Sequence, residues 1–464
     1  MAALILFGIF FLLLFMNMPI AFALGISSLA VIMYEGLPLA PIASNLYAAT
    51  SKFVLLAIPF FILGGNVMDK SGISSQLIDF ARTLVGHRRS GMALVTVIVA
   101  CFFAAISGSG PATVAALGMI LIPAMTNVGY QKNDSAALVS TAGAIGIIIP
   151  PSITFVIYGS VTGESVGELF ASGIVPGILM GCFLIFAMMF TYRGRELKLL
   201  PKASGRERWR AFVKAIPGLL MPVIILGGIY GGFFTPTEAA AVASIYGIVI
   251  GFCTRKLKVK DLWPLLVDSV SQTAVVMLIV GTASLFSYAL TLTGIAADAS
   301  AALISFVGDS KFLFLLIVNI ILLIAGCFID ANSAMYIIVP ILVPVARALG
   351  IDLVHLGCVM VFNLAVGLVT PPVGVNLYVG CGIAGIKLKE PPRRTAHGRR
   401  RWAGCGRGAG HGRRGPRCRR CRSCVLLSLR RRPSQSEVPA CRRGTRRRRR
   451  RAYNQLSLLQ ILLN

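Results

Sequence analysis

Two short polar sequences that interrupt long apolar runs are the places where side chains of this chain could do chemistry. Residues 107–111 read SGSGP within an apolar run from 91 to 125, and residues 328–333 read FIDANS within a run from 311 to 347. Each run is too long for one membrane-spanning helix, which needs about 20 residues. Because hydroxyl, carboxylate and amide oxygens bind hard cations, the pattern predicts ion binding where these runs are broken.

A Pro-Pro pair interrupts the next apolar run after each of these sequences: GIIIPPS at 146–152 and GLVTPPVG at 367–374. Proline lacks an amide hydrogen and disfavours helix in the residue before it, so carbonyls at 147–149 and 368–370 lose their helical partners. We expect two sodium sites, each between a polar turn and a Pro-Pro break. Their candidate side chains are Ser107, Ser109 and Ser152 in the first half, and Asp330, Asn332, Ser333 and Thr370 in the second.

Simpler interpretations exist for several of these residues. A single Pro-Pro pair is often only a kink, although its recurrence opposite a polar turn in both halves favours a site. Asp330 could cap a helix through the amides of Asn332 or Ser333, which is compatible with ion binding. Asn363 and Asn376 fit hydrogen bonds between helices.

The two halves are related by an internal repeat. At a shift of 221 residues Pro150-Pro151 aligns with Pro371-Pro372, and at a shift of 222 SGI at 71–73 aligns with TGI at 293–295. Each half is predicted to contain three helices, an amphipathic arm, a hairpin and a broken helix. Since the first copy is predicted to begin outside and the second inside, the topology is inverted, as in many secondary transporters.

The distribution of basic residues predicts that both long runs are re-entrant hairpins. Cytoplasmic loops are rich in Lys and Arg. If 91–125 crossed once, the 193–214 loop, with eight Lys and Arg, would lie outside; if it turns back, 19 of the 22 basic residues before 391 are cytoplasmic. The 311–347 run enters from the opposite side. Irregular backbone at membrane depth needs protein or water around it, so two facing tips predict a central transport site.

Composition excludes two classes of protein. The chain has 464 residues, of which 56% are hydrophobic and 13% charged, yet its net charge is +28. Soluble domains have about 25% charged residues, and nucleic-acid-binding proteins carry basic residues on their folded surface. Residues 1–390 carry +6, whereas 391–464, with 23 arginines and one acid, carry +22. The first part is therefore predicted to be an all-α polytopic membrane protein.

The Arg-rich tail at 391–464 stands where the repeat predicts a further helix, at 390–413. It could bind nucleic acid or anionic lipid, or hold a metal at Cys418, Cys421 and Cys424. Residues with GC-rich codons dominate it, which favours out-of-frame translation and a disordered segment. We therefore expect no nucleic-acid partner and no transition-metal site, with membrane lipids around the rest of the chain.

Six longer motifs occur in order between residues 2 and 390: MPIAFALG (18–25), IPFFILGGNVMDKSG (58–72), ISGSGPATVAALG (106–118), GIIIPPSITFVIYG (146–159), GGFFTPTEAAAVA (231–243) and GLVTPPVGVNLYV (367–379). Together they resemble the large membrane subunit, DctM type, of tripartite ATP-independent periplasmic (TRAP) transporters. The resemblance implies a sodium-driven, elevator-type symporter in the bacterial inner membrane. It also implies a small DctQ-type membrane subunit and a periplasmic DctP-type binding protein that delivers C4-dicarboxylates, sialic acid or other organic acids.

The resemblance also implies which residues hold sodium. It places the ions at Ser107, Ser109 and Gly110 with Gly146 and Pro150, and at Asp330, Asn332 and Ser333 with Thr370 and Pro371. The candidates for contact with substrate are Ser152 and Asn376.

The moving transport domain is predicted to comprise 71–160 and 293–390, with broken helices at 135–160 and 354–383. Residues 1–70 and 161–292 form the predicted scaffold.

The predicted function is sodium-coupled uptake of a C4-dicarboxylate or sugar acid delivered by a binding protein. A stand-alone cation-coupled carboxylate transporter or exchanger of the same superfamily is the alternative. An enzyme is not expected, because His87 and His355 lie near predicted interfaces and Asp330 has no acidic partner in its hairpin. Sodium is the only expected ion, and no cofactor is expected.

Overall fold

The computed structural model describes residues 1–88, 90–193 and 197–386, so the predictions for 391–464 lie outside the described residues. In the described part every regular element is helical. Eight of its helices are long and apolar enough to cross a membrane, which confirms a polytopic membrane protein. The α-helices are α1 (Ala2–Phe15), α2 (Ile20–Tyr34), α3 (Ala40–Thr50), α4 (Ala57–Lys70), α5 (Ile73–Val85), α6 (Gly91–Ser107), α7 (Gly110–Val128), α8 (Lys132–Ala144), α9 (Ile153–Thr162), α10 (Val166–Thr191), α11 (Gly205–Tyr230), α12 (Pro236–Cys253), α13 (Val259–Leu292), α14 (Ile295–Val307), α15 (Lys311–Phe328), α16 (Ala331–Ala348), α17 (Leu353–Gly367) and α18 (Val375–Ala384).

The internal repeat is reproduced helix by helix. The arms α5 and α14 have 13 residues each, and each follows a glycine with positive φ, Gly72 at 69° and Gly294 at 73°. The hairpin α6–α7 corresponds to α15–α16, and the broken pair α8–α9 corresponds to α17–α18. The predicted fold of two hairpins and two broken helices is therefore confirmed.

Polar residues break both hairpins at the predicted places. Gly108, with φ at 62°, ends α6, and Ser109 precedes α7. Ile329 and Asp330 separate α15 from α16. Between α8 and α9 lie a short 3-10 turn and the first Pro-Pro pair, and the second pair lies between α17 and α18; both Pro-Pro peptide bonds are cis.

A group of helices outside the repeat elements packs together through buried polar contacts. Helix α12 lies along α4, where the Ser244 hydroxyl donates to the Phe60 carbonyl at 2.6 Å. Asn66 Nδ2 of α4 donates to Ser269 Oγ of α13 at 2.9 Å. Helices α1, α2 and α3 complete this group by packing on one another or on α13.

Helix α10 packs against α6, α9 and α17, although the sequence places it in the 161–292 scaffold. Its glycines at 173, 177 and 181 form one close-packed stripe. A Cβ at Gly173 would lie 2.3 Å from the Ile148 carbonyl oxygen, and one at Gly177 would lie 2.4 Å from the Ile149 side chain. Helix α10 therefore covers the first Pro-Pro break.

Two helical segments differ from the sequence-based expectation. Helix α3 was not predicted, because its 11 residues are too few to cross a membrane and it packs on α13 instead. Helix α11 begins at Gly205, inside the stretch interpreted as a basic loop. A capping box between Ser204 and Glu207 explains this start, because each side chain binds the other residue's backbone amide.

Candidate functional site

The first hairpin tip is organised by two hydroxyls. Ser107 Oγ lies 2.7 Å from Thr113 Oγ1, which donates to the Ser109 carbonyl at 2.8 Å. Since a hydroxyl has one hydrogen, Thr113 accepts from Ser107. The Ser107 oxygen also accepts from the Ser109 amide at 3.5 Å, which leaves one lone pair that a cation could use.

The first Pro-Pro break packs directly on this tip. The Ile153 amide, at the start of α9, donates to the Gly108 carbonyl at 3.2 Å. A Cβ at Gly146 would lie 2.8 Å from Thr113 Oγ1 and 3.0 Å from the Ser109 carbonyl oxygen, so only glycine permits this approach. The structure thus brings together Ser107, Ser109, Gly110 and Gly146. Pro150, four residues after Gly146, is also buried.

Ser152 is fully buried, and its hydroxyl forms hydrogen bonds with backbone groups. Its hydroxyl donates to the Ile147 carbonyl at 2.6 Å, and its oxygen accepts from the Phe155 amide at 3.4 Å. These contacts make Ser152 the N-cap of α9 and give the Ile147 carbonyl a partner. That carbonyl is therefore not free, contrary to the expectation for 147–149. The predicted substrate contact of Ser152 stays a prediction, since the residue is covered in this conformation.

Asp330 is the N-cap of α16, which confirms the capping interpretation. One carboxylate oxygen accepts from the amides of Asn332 and Ser333 at 3.0 and 3.2 Å, and the other accepts from the Ser333 hydroxyl. A carboxylate offers about four acceptor positions, so these three hydrogen bonds leave one unused. Capping is therefore compatible with a cation at this half-buried tip.

The second break contacts its tip through backbone atoms. The Val373 amide donates to the Cys327 carbonyl at 3.0 Å, as Ile153 does to Gly108 in the first half. The Thr370 hydroxyl donates to the Val366 carbonyl at 2.7 Å and keeps its lone pairs. Pro371 and its neighbour Pro372 are exposed, in contrast to the buried first pair.

Each hairpin is also touched by a polar side chain from the other repeat. Thr154 Oγ1 of α9 donates to Asn332 Oδ1 of α16 at 3.2 Å. Asn376 of α18 lies against Gly110 of α7, where a Cβ would be 3.1 Å from both amide side-chain atoms. Together with the backbone hydrogen bonds, these two contacts arrange the first turns of α7, α9, α16 and α18 as a ring of four helix N-termini.

This ring has a definite electrostatic character. The first amides of a helix point out of it, and the helix dipole makes this end partially positive. The segments 105–115, 145–156, 328–335 and 366–378, which build the ring, contain no Lys or Arg, and their one charged side chain is Asp330, which already binds two amides of α16. An anion would therefore be held by the remaining amides and hydroxyls and by any bound cations.

Asn376 is completely buried between the two halves. Its Nδ2 donates to the Ser140 carbonyl at 3.2 Å, and its Oδ1 has no hydrogen-bond partner among the described residues. Asn363 instead donates to Asn319 Oδ1 at 2.7 Å, which confirms its interpretation as a bond between helices. The predicted substrate contact of Asn376 stays a prediction, since the residue is covered in this conformation.

Three residues near the tips were missed by sequence reasoning. Thr113 follows Ser109 by four residues, so helical spacing could have revealed it. Thr154 is identified only by its contact with a residue 178 positions away. Gly65 of α4 lies against Ser107, where a Cβ would be 3.4 Å from the Ser107 Cα.

Comparison with known proteins identifies relatives over most of the chain. The family described as "Tripartite ATP-independent periplasmic transporter, DctM component" matches residues 7–396. A C4-dicarboxylate TRAP transporter large permease protein DctM of Rhodobacter capsulatus is 41% identical over 406 residues, which cover 84% of this chain and 92% of that protein. An isethionate TRAP transporter permease protein DctMQ of Oleidesulfovibrio alaskensis is 43% identical over 398 residues, 83% of this chain, but the match spans only 61% of that relative.

A solved structure shares the fold at low sequence identity. The YdaH transporter of Alcanivorax borkumensis superposes with a TM-score of 0.54 at 15% identity, over 74% of this chain and 80% of that one. At this identity the likeness concerns the fold alone.

Proposed function

Because this chain belongs to the DctM family of tripartite ATP-independent periplasmic transporters, we propose that it is the large permease subunit for sodium-coupled uptake of a small organic acid. The observation that carries the proposal is the ring of four helix N-termini, with oxygen-rich hairpin tips on its edge. The proposed function requires both an anion site and cation sites, and the ring offers chemistry for each.

The proposed substrate is an organic anion such as a C4-dicarboxylate or a sugar acid. A carboxylate fits helix N-termini because it accepts several amide hydrogen bonds and is favoured by the dipoles. Relatives are named for a dicarboxylate and for isethionate, which are both small organic anions. We therefore assign the class of substrate and not one compound.

The proposed coupling ions bind one at each tip. The first would use the remaining lone pair of Ser107 together with backbone carbonyl oxygens of the tip and of the Pro-Pro break that faces it. The second would use the open acceptor position of Asp330 together with Asn332 Oδ1 and the Thr370 hydroxyl. Each bound cation would add positive charge beside the ring and so favour the anion.

The proposed moving unit contains both hairpins, both broken helices and also α10. The packing of α10 on α6, α9 and α17 supports moving the boundary from residue 161 to the end of α10. The remaining helices from α1 to α4 and α11 to α13 would form the scaffold. In this arrangement Gly65 of α4 faces the Ser107 tip across the boundary.

The proposed location is the bacterial inner membrane, with a small membrane subunit and a periplasmic binding protein as partners. Membership of the family supports both partners, and the DctMQ name of one relative fits a small subunit. A stand-alone transporter of the same superfamily is the alternative.

Uptake by proteoliposomes tests the proposal. The permease is reconstituted with its small subunit, and labelled C4-dicarboxylates and sugar acids are supplied with and without binding protein, under sodium or potassium gradients. Uptake that requires both sodium and binding protein supports the proposal. Uptake equal in sodium and potassium would refute sodium coupling, and uptake without binding protein would favour the stand-alone alternative.

A further inference from the structure

The hydroxyl of Thr154 donates to a side chain of another helix, whereas a buried helical threonine commonly donates to a carbonyl of its own helix. Thr96, equally buried on α6, donates to its own helix at the Met92 carbonyl, 2.9 Å away. Thr154 lies at the start of α9, and its hydroxyl donates instead to Asn332 Oδ1 of the other repeat. It is 1% exposed, so a lost acceptor would leave a buried donor without a partner.

This hydrogen bond completes a continuous path between the two tips. Asp330 accepts from the Asn332 amide at 3.0 Å, and the Asn332 side chain accepts from Thr154 at 3.2 Å. The residue before Thr154, Ile153, donates its amide to the Gly108 carbonyl at 3.2 Å. Gly108 lies between the two serines of the first tip, so every step of the path is a direct hydrogen bond or a covalent neighbour.

We infer that Thr154 couples the two proposed cation sites, so that a cation at the Asp330 tip raises the affinity of the Ser107 tip. This inference rests on the proposed function. A cation beside Asp330 fixes the Asn332 side chain, which holds Thr154 and the start of α9. That start in turn holds the Gly108 carbonyl and the shape of the first tip. Coupling of this kind is reciprocal, so each cation favours the other.

Sodium titration of uptake tests the coupling. We expect the Hill coefficient to be lower for Thr154→Val, which has no hydroxyl, than for the wild type. The half-saturating sodium concentration should rise about five-fold, the low end of ordinary coupling. Thr154→Ser should restore the wild-type curve, and Thr96→Val is the control because its hydroxyl bonds only within the first hairpin.

The outcomes separate the inference from the proposed function. An unchanged Hill coefficient in Thr154→Val, with uptake still dependent on sodium, would overturn the coupling and leave the transporter assignment intact. Wild-type uptake that does not depend on sodium would refute both the proposed coupling ion and this inference. If Thr154→Val is not recovered folded, Thr154→Ala carries the same test. Sodium-dependent thermal stabilisation of the purified protein provides a second titration.

Discussion

Replacement of Asp330 by asparagine separates its capping role from its proposed cation role. Asparagine caps helices about as well as aspartate, so α16 should keep its start through the Asn332 and Ser333 amides. The substitution removes the negative charge and replaces the acceptor of the Ser333 hydroxyl by an amide donor, whose hydrogen the Ser333 oxygen can accept. If Asp330 is merely a cap, sodium dependence and stability should be nearly unchanged.

The proposed cation role predicts a large effect. Two unit charges about 4 Å apart interact by about 4 kcal/mol at an effective dielectric constant of about 20. In the wild type, the cost of removing the carboxylate from water offsets part of this attraction. We therefore expect Asp330→Asn to weaken sodium binding by at least about 1.4 kcal/mol. That loss corresponds to an increase of at least about ten-fold in half-saturating sodium.

The assay is sodium-dependent uptake by proteoliposomes, with thermal unfolding of the same preparations. Asp352→Asn is a matched control, because Asp352 caps α17 through the Val354 and His355 amides at 2.6 and 3.2 Å but is exposed. Asp330→Asn should shift the sodium curve, whereas Asp352→Asn should not. Equal sodium curves for Asp330→Asn and wild type would refute the assignment of a cation to this carboxylate.

Three further substitutions test packing and capping. Gly146→Ala should raise half-saturating sodium and lower stability by about 1–3 kcal/mol, because the new Cβ would lie 2.8 Å from Thr113 Oγ1; an unaltered sodium curve would contradict the proposed first site. Gly177→Leu should lower the melting temperature of the purified permease, since even a Cβ there meets Ile149 at 2.4 Å; unchanged melting would show that α10 does not pack closely on the break. Glu238→Ala should lower the melting temperature slightly but leave uptake intact, because its side chain closes a capping box at the start of α12; lost uptake would give this residue a role in transport.

The sequence predicts most of the fold because two kinds of signal are strong in this chain. Long apolar runs identify membrane helices, and polar or Pro-Pro interruptions recurring at a constant spacing identify the hairpins and broken helices. Helix α3 is not predicted, because its 11 residues are few and combine polar with apolar side chains, so that no long apolar run marks it. The start of α11 in a basic stretch depends on a capping box, which local composition obscures.

The site is predicted less completely, because hydroxyls in such a helical protein have several possible partners. The sequence identifies Ser107 and Asp330 from their positions at helix breaks. It cannot show that the Ser152 hydroxyl binds the Ile147 carbonyl, or that Asn376 is buried against Gly110. The first contact depends on the exact backbone path through the Pro-Pro break, and the second depends on how the two repeats pack. Residue types and spacing determine neither.

The glycine stripe of α10 gives the first Pro-Pro break a close-packed cover. Helix α10 meets the break at Gly173 and Gly177, where no side chain separates the helix from the Ile148 carbonyl and the Ile149 side chain. Close packing of this kind raises the free energy of local opening. Amide hydrogen exchange should therefore be slow around the first break, so that the break and α10 behave as one rigid segment.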